Sequence, residues 1–174
     1  MHGVQKDYYL IDEDTGMMHV EIYTDGAARG NPDGPGGCAA VLGYTDTRGV
    51  LHQKELSQGY VRTTNNRMEL MGAIMGLEAL TRPCDVTLHS DSQYLVKAFN
   101  DHWIEGWQKK GWKNSKKEPV KNQDLWMRLL KAMDPHHVQF VWVRGHNGND
   151  LNERCDTLAT SAADGSDLLE DPGA

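Results

Sequence analysis

Several features are absent from this chain of 174 residues, and each absence excludes a class of protein. No uninterrupted apolar run approaches the ~20 residues of a membrane-spanning helix. The first residues, Met1-His2-Gly3-Val4-Gln5-Lys6-Asp7, contain no apolar stretch of the kind that opens a secretory signal. The three cysteines, Cys38, Cys84 and Cys155, are odd in number and widely spaced, so they form neither a disulfide framework nor a paired zinc motif. These absences lead to the expectation of a cytoplasmic protein with reduced thiols and no membrane partner. What is present fits one folded domain, with 39% hydrophobic and 25% charged residues.

The net charge of −7 argues at first against a polyanionic partner. Its distribution reverses that argument. Residues 1–18 carry a net −3 and residues 164–174 a net −4, which leaves the body between them neutral. Within that body, residues 109–121 hold six lysines (among them Lys113, Lys116 and Lys117) against Glu118 alone. Screening confines a charge's field to about 10 Å, so a local basic patch can hold phosphates on an acidic protein. The run Asp12-Glu13-Asp14-Thr15-Gly16 hints at a calcium loop but lacks its third ligand and its closing glutamate, so it reads as a solvated acidic stretch.

The hydrophobic period divides the chain into elements. His19–Asp25 alternates, and Cys38–Tyr44 and Leu51–Gly59 read as two more strands, joined closely enough for an antiparallel meander. Leu70, Ala73, Ile74, Leu77 and Leu80 then fall at helical spacing, with Pro83 closing the helix. A short strand at Val86–Ser90, a helix from about Ser92, an irregular basic and tryptophan-rich stretch over 101–121, a helix around Leu125–Leu130, a strand at Val138–Val143 and a helix over Leu151–Ala163 complete the series. That order predicts a mixed sheet with helices packed on it.

Four carboxylates stand out, although each has an ordinary explanation. Asp25 could belong to an Asp-Gly turn, Glu69 to a capping box opened by Asn66, Asp91 to a helix cap, and Asp156 to a solvated helix face. Their placement suggests more. If the strand at 86–90 returns beside 19–25 through a crossover helix, the two run parallel and Asp25 and Asp91 emerge at one edge of the sheet. Glu69 reaches the same point if the crossover helix packs there. Carboxylates gathered in one place need a counter-charge, and an oxygen-only cluster suits Mg²⁺ or Mn²⁺. A pair of such ions suits phosphodiester hydrolysis.

These residues lie within motifs that are recognisable together: Ile22-Tyr23-Thr24-Asp25-Gly26-Ala27 with Gly30-Asn31-Pro32; Gly59-Tyr60 and Arg62-Thr63-Thr64-Asn65-Asn66-Arg67-Met68-Glu69-Leu70-Met71; Ser90-Asp91-Ser92-Gln93-Tyr94; Gly111-Trp112-Lys113 through Pro119-Val120-Lys121-Asn122; and Trp142-Val143-Arg144-Gly145-His146 with Asn152-Glu153-Arg154-Cys155-Asp156. In this order, over residues 19–163, the chain resembles type I ribonuclease H of the bacterial kind. The resemblance implies an α/β fold with a five-stranded mixed sheet flanked by helices. It implies a catalytic domain over 19–163, an acidic N-terminal extension over 1–18, an acidic tail over 164–174 and a basic protrusion over 101–121. Neither acidic end has a place in the family pattern.

The activity implied is cleavage of the RNA strand of RNA–DNA hybrids by a monomer, with two Mg²⁺ ions (or Mn²⁺ in their place), leaving 5′-phosphate and 3′-hydroxyl ends. Carried onto this sequence, Asp25 bridges both ions. Asp156 shares the ion beside the attacking water, and Glu69 and Asp91 hold the ion beside the leaving group. His146 assists proton movement or product departure, although its ordinary reading is a loop histidine. Asn31, Asn65 and Gln93 match the family's groove-reading amides, and Arg62, Thr64 and Asn122 match its pocket for a DNA-strand phosphate. Trp103 is expected to face substrate with Lys113, Lys116 and Lys117, while Trp107 and Trp112 pack against the body. Two other functions fit part of the pattern: a related nuclease with a different substrate, and a noncatalytic hybrid-binding module whose acids are merely caps.

Overall fold

The computed structural model describes residues 16–30, 34–144 and 150–174. Three strands open it, β1 (Met18–Ala28), β2 (Gly36–Thr45) and β3 (Leu51–Tyr60), and they form the antiparallel meander that the short connections predict. Helix α1 (Asn65–Glu78) then crosses the sheet, and β4 (Cys84–Ser90) returns parallel to β1. Helices α2 (Gln93–Asn100), α3 (Trp103–Lys109) and α4 (Gln123–Met133) lead to β5 (His137–Trp142), which lies parallel to β4. Helix α5 (Asp150–Ala163) and the two-residue β6 (Leu168–Leu169) end the chain. The sheet order is β5-β4-β1-β2-β3-β6.

Strand β2 shows how the layers form. Its side chains alternate between faces: Cys38, Ala40 and Leu42 join the larger core beneath α1, while Ala39 and Val41 meet Cys155 and Ala159 of α5. A strand covered on both faces carries an unbroken apolar run, as this one does. Close packing of α5 needs a bare backbone at Gly37, where a Cβ would lie 2.1 Å from the Ala159 carbonyl oxygen. On the other face, Met68, Leu70, Ile74 and Leu77 of α1 are buried against the sheet, each worth about 1.5–3 kcal/mol in transfer from water. Trp126 of α4 is fully buried, and its indole N–H donates to the Tyr94 hydroxyl at 3.1 Å.

The structure departs from the sequence reading in three places. Helix α1 stops at Glu78, with Ala79 as its C-cap, so Pro83 follows the helix rather than ending it. The stretch over 101–121 is not wholly irregular, because α3 occupies Trp103–Lys109. Ile104 is its one buried side chain, so no apolar period revealed it. The sheet has a sixth strand beyond the expected five. The acidic tail turns back after α5 and pairs in parallel with β3, Gly59 opposite Leu168 and Tyr60 opposite Leu169. Among the described residues, no helix is long and apolar enough to cross a membrane.

Candidate active site

Parallel pairing brings two of the four carboxylates level. The register of β1 and β4 runs to Tyr23 opposite His89, and two further steps along each chain reach Asp25 and Asp91. The third carboxylate arrives from α1. At Gly26 an added Cβ would lie 2.3 Å from the Met68 carbonyl carbon and 2.4 Å from the Glu69 nitrogen, so only glycine lets the start of α1 rest on the end of β1. Glu69 is thereby set over Asp25. Ligand oxygens of Asp25, Glu69 and Asp91 all lie within 4.8 Å of one another.

The ordinary explanations fail for these three residues. Strand β1 continues through Asp25 to Ala28, still paired with β2, so no Asp-Gly turn forms. Thr64, not Asn66, caps α1, its hydroxyl accepting from the Arg67 N–H at 3.2 Å. Ser92 caps α2 by accepting from the Leu95 N–H at 3.1 Å, which leaves Asp91 unused as a cap. Helix capping therefore leaves the carboxylates free to face one another; the Gly26 N–H donates to Asp25 Oδ1 at 2.9 Å and also draws on Glu69.

Such crowding is electrostatically unfavourable. Asp25 is 6% exposed and Glu69 5% exposed. Burial, followed by the charge of Asp91, pushes the Asp25 carboxyl up to about 7, against the pull of the Glu69 and Gly26 hydrogen bonds. Burial and the charges of Asp25 and Asp91 raise Glu69 well above the ordinary carboxylate range. Among the described residues, Glu69 Oε1 is buried with no hydrogen-bond partner. A buried acceptor without a donor costs free energy, and one aimed into a cluster of carboxylates suits a cation.

The donor chemistry fits a hard divalent ion, since every group in the cluster is a carboxylate. The nearby thiol does not change this. Cys155 is buried, its Sγ donates to the Tyr23 carbonyl at 3.1 Å, and burial pushes it up to about 12, far from a thiolate ligand. Asp156, half-buried on α5, is not part of the tight group. It lines the same cleft of about 480 Å³, and its charge adds to the rise at Asp25. The cleft is also walled by Asn65, Asn66, Gln93 and Tyr94, and floored by the small residues Gly26, Ala27 and Ala28. Asn65 and Gln93 are the first residues of α1 and α2, so the cleft opens onto two helix N-termini, where backbone N–H groups favour anions.

The other candidates lie on either side. Arg62 is exposed just past β3, and Thr64 is the α1 cap. Asn122 has a left-handed backbone, φ 61°, and its amide is held at both ends: Nδ2 donates to the Tyr94 hydroxyl at 3.1 Å and Oδ1 accepts from Arg67 at 3.3 Å. Trp103 opens α3 and is 37% exposed. Trp107 lies among Trp103, Trp112 and Trp126, with ring centres 6.3, 6.1 and 5.5 Å away. Lys113, Lys116 and Lys117 are exposed on a tight turn that Asn114 closes, its Oδ1 accepting from the Lys116 and Glu118 N–H groups at 2.9 and 3.0 Å. His146 and Asn31 lie outside the described residues, as does most of the acidic extension.

Sequence reasoning missed Arg67, which stands two residues from Glu69 and is 2% exposed. All five of its N–H donors are taken. Nε and NH2 meet Asp171 at 2.7 and 2.8 Å, NH1 and NH2 meet Asp124 at 2.9 and 2.7 Å, and NH1 reaches Asn122. An arginine directly before the largely apolar run Met68–Leu77 was the available signal, but nothing in the linear order points to a partner 104 positions away.

Known proteins place this arrangement. The family model described as RNase H matches residues 17–164. A ribonuclease H of Lachnoclostridium phytofermentans is 68% identical over 154 residues, which is 88% of this chain and 98% of that protein. A ribonuclease H of Pseudoalteromonas atlantica is 54% identical over 157 residues, 90% of this chain and 98% of its own. Among solved structures, LC9-RNase H1, described as a type 1 RNase H with the type 2 active-site motif, superimposes with a TM-score of 0.76 at 31% identity, over 89% of this chain and 78% of that one.

Proposed function

Because the chain belongs to the ribonuclease H family, of the bacterial H1 type, we propose that it hydrolyses the RNA strand of RNA–DNA hybrids with two divalent cations, Mg²⁺ foremost, and leaves 5′-phosphate and 3′-hydroxyl ends. The observation that carries this reading is the buried carboxylate cluster with its unpartnered Glu69 oxygen, at the floor of an open cleft. Asp25, Glu69, Asp91 and Asp156 would hold the ions. When bound, such ions supply Lewis acidity, a more acidic water and neutralisation of charge on the leaving oxygen.

The chain's own residues would bind and orient the substrate. An RNA–DNA duplex approaches A-form, whose wide, shallow minor groove displays 2′-hydroxyls. The floor of Gly26, Ala27 and Ala28 allows close approach to that groove. Asn31, Asn65 and Gln93 present amides that can donate to and accept from the groove edge. Arg62, Thr64 and Asn122 would hold a phosphate of the DNA strand, while Trp103 and the Lys113, Lys116 and Lys117 turn embrace the duplex further along. His146 would pass a proton or ease the product out, a role open to histidine as a residue type. The protein would work as a cytoplasmic monomer.

The test is cleavage of a hybrid labelled on its RNA strand, beside RNA-duplex and DNA-duplex controls, with Mg²⁺ and with chelator. RNA-strand cutting confined to the hybrid and abolished by chelator is expected. Cutting that persists in chelator would remove the metal-dependent reading, and equal cutting of all duplexes would point to a nuclease of different specificity.

A further inference from the structure

The acidic tail has no place in the sequence pattern, yet the fold puts it beside the expected phosphate pocket. Parallel pairing of β6 with β3 brings the tail alongside Tyr60, and the Val61 N–H donates to the Leu169 carbonyl at 2.8 Å. Arg62 therefore leaves the sheet directly next to the tail, and the two wall a cleft of about 540 Å³ lined by Val61, Arg62, Glu170, Asp171, Pro172 and Ala174. The Asp171 side chain is 5% exposed.

One carboxylate thus touches both sides of the pocket. On one side Asp171 Oδ2 accepts from the Thr63 hydroxyl at 2.7 Å, between Arg62 and Thr64 in sequence. On the other, Oδ2 and Oδ1 accept from Nε and NH2 of Arg67, whose NH1 steadies the Asn122 amide. The chain beyond Asp171 closes over the guanidinium: a Cβ at Gly173 would lie 2.3 Å from Arg67 NH2. Asp124 holds the same guanidinium from the Asn122 side, so Asp171 supplies the opposing half of the clamp. Removing it would strand two of five buried donors and free Arg67 to turn, and with it Asn122.

We propose that Asp171, brought back to the sheet by the C-terminal tail, is a positioning residue that pre-organises the pocket of Arg62, Thr64 and Asn122 for a phosphate of the substrate's DNA strand. This rests on the reading of that pocket given above. A pre-organised pocket lowers the cost of binding rather than the barrier of the chemical step, so its loss belongs in KM.

Steady-state cleavage of a labelled hybrid by D171N, R62A and the double variant tests it. D171N is expected to raise KM by about 3- to 10-fold with kcat within about 2-fold of the parent. The double variant should be no worse than R62A, because both changes disable one pocket. Methylphosphonate linkages in the DNA strand should abolish the difference between parent and D171N. T63V, which removes a clamp without altering charge, is the second variant and should raise KM in the same sense even if D171N folds poorly. R62A raising KM while D171N and T63V leave it unchanged would overturn the tail's role alone, as would a lower kcat at constant KM or full additivity in the double variant. R62A without effect would overturn the pocket itself, and the proposal with it.

Discussion

Arg67 and Glu69 lie two residues apart on one helix, both nearly inaccessible, and their surroundings are opposite. Arg67 sits between Asp124 and Asp171 with every donor matched. Glu69 faces Asp25 and Asp91, like charges, with one oxygen unmatched. A buried ion whose bonds are all satisfied serves the fold, and removing its partner costs a great deal. A buried carboxyl crowded by its own kind keeps its proton or weakens the fold, and it persists where something from outside completes it. The contrast separates a structural side chain of α1 from a functional one two residues on, and substitutions can test it.

The largest expected effect is at the carboxylates. Asp25→Asn should lower kcat on a hybrid with Mg²⁺ by more than about 10³-fold, over ~4 kcal/mol in the barrier, while circular dichroism shows an intact fold. Near-normal turnover would contradict a central role for Asp25.

Next come opposite signs in stability, read by urea unfolding in metal-free buffer. Arg67→Met leaves Asp171 buried without its partner and should cost about 3–5 kcal/mol. Glu69→Gln replaces a carboxyl that keeps its proton by a neutral amide of the same shape and should leave stability unchanged or raise it, while cleavage is lost. If both substitutions destabilise alike, Arg67 and Glu69 do not play different parts.

The pH dependence should differ in the same way. Asp25 rises from 3.8 to about 7, so the folded state holds its proton longer than the unfolded chain does, and metal-free stability should fall as pH rises between about 4 and 7. Asp171 behaves inversely. Burial alone would raise it, but Arg67 and Thr63 outweigh burial and hold it below 3.8, so its contribution is present above about pH 4 and lost as pH falls through the folded value. Thermal melts in chelator across pH should show Asp25→Asn flattening the first slope and Asp171→Asn the second. His19 adds a separate decline higher up. Burial opposes its charged form, but Asp85 and Glu21 outweigh burial and raise it above 6.5, so its contribution fades only as pH climbs through that raised value.

The smallest effect concerns charges that are neither crowded nor paired. Replacing Lys113, Lys116 and Lys117 together by glutamine should weaken hybrid binding and reduce the slope of log K against log salt by about 2–3, as each lost phosphate contact removes ~0.9. An unchanged slope would mean that this turn does not touch phosphate.

Most of the architecture was legible in the sequence. Alternation in His19–Asp25 and the helical spacing of Leu70–Leu77 are local signals of period 2 and 3.6, and they placed strands and helices within a few residues. The limits of α1 were less legible, because Thr64 rather than Asn66 satisfies the free N–H groups and the helix stops before its proline. Helix α3 was missed because it is short and fully buries only Ile104, too little for a helical period to show. Strand β6 was missed because two residues have no period.

The sequence by itself determined which residue types stand where: the oxygen-only ligand set, the basic turn and the order of strands and helices, all written in short-range spacing and composition. Only the tertiary structure decided which charges meet. Asp25 joins Glu69 and Asp91 because a glycine lets α1 touch β1, and Arg67 joins Asp171 because the tail adds a strand to β3. Electrostatic energy depends on distance in space, and distance along the chain says nothing of it until the sheet has formed.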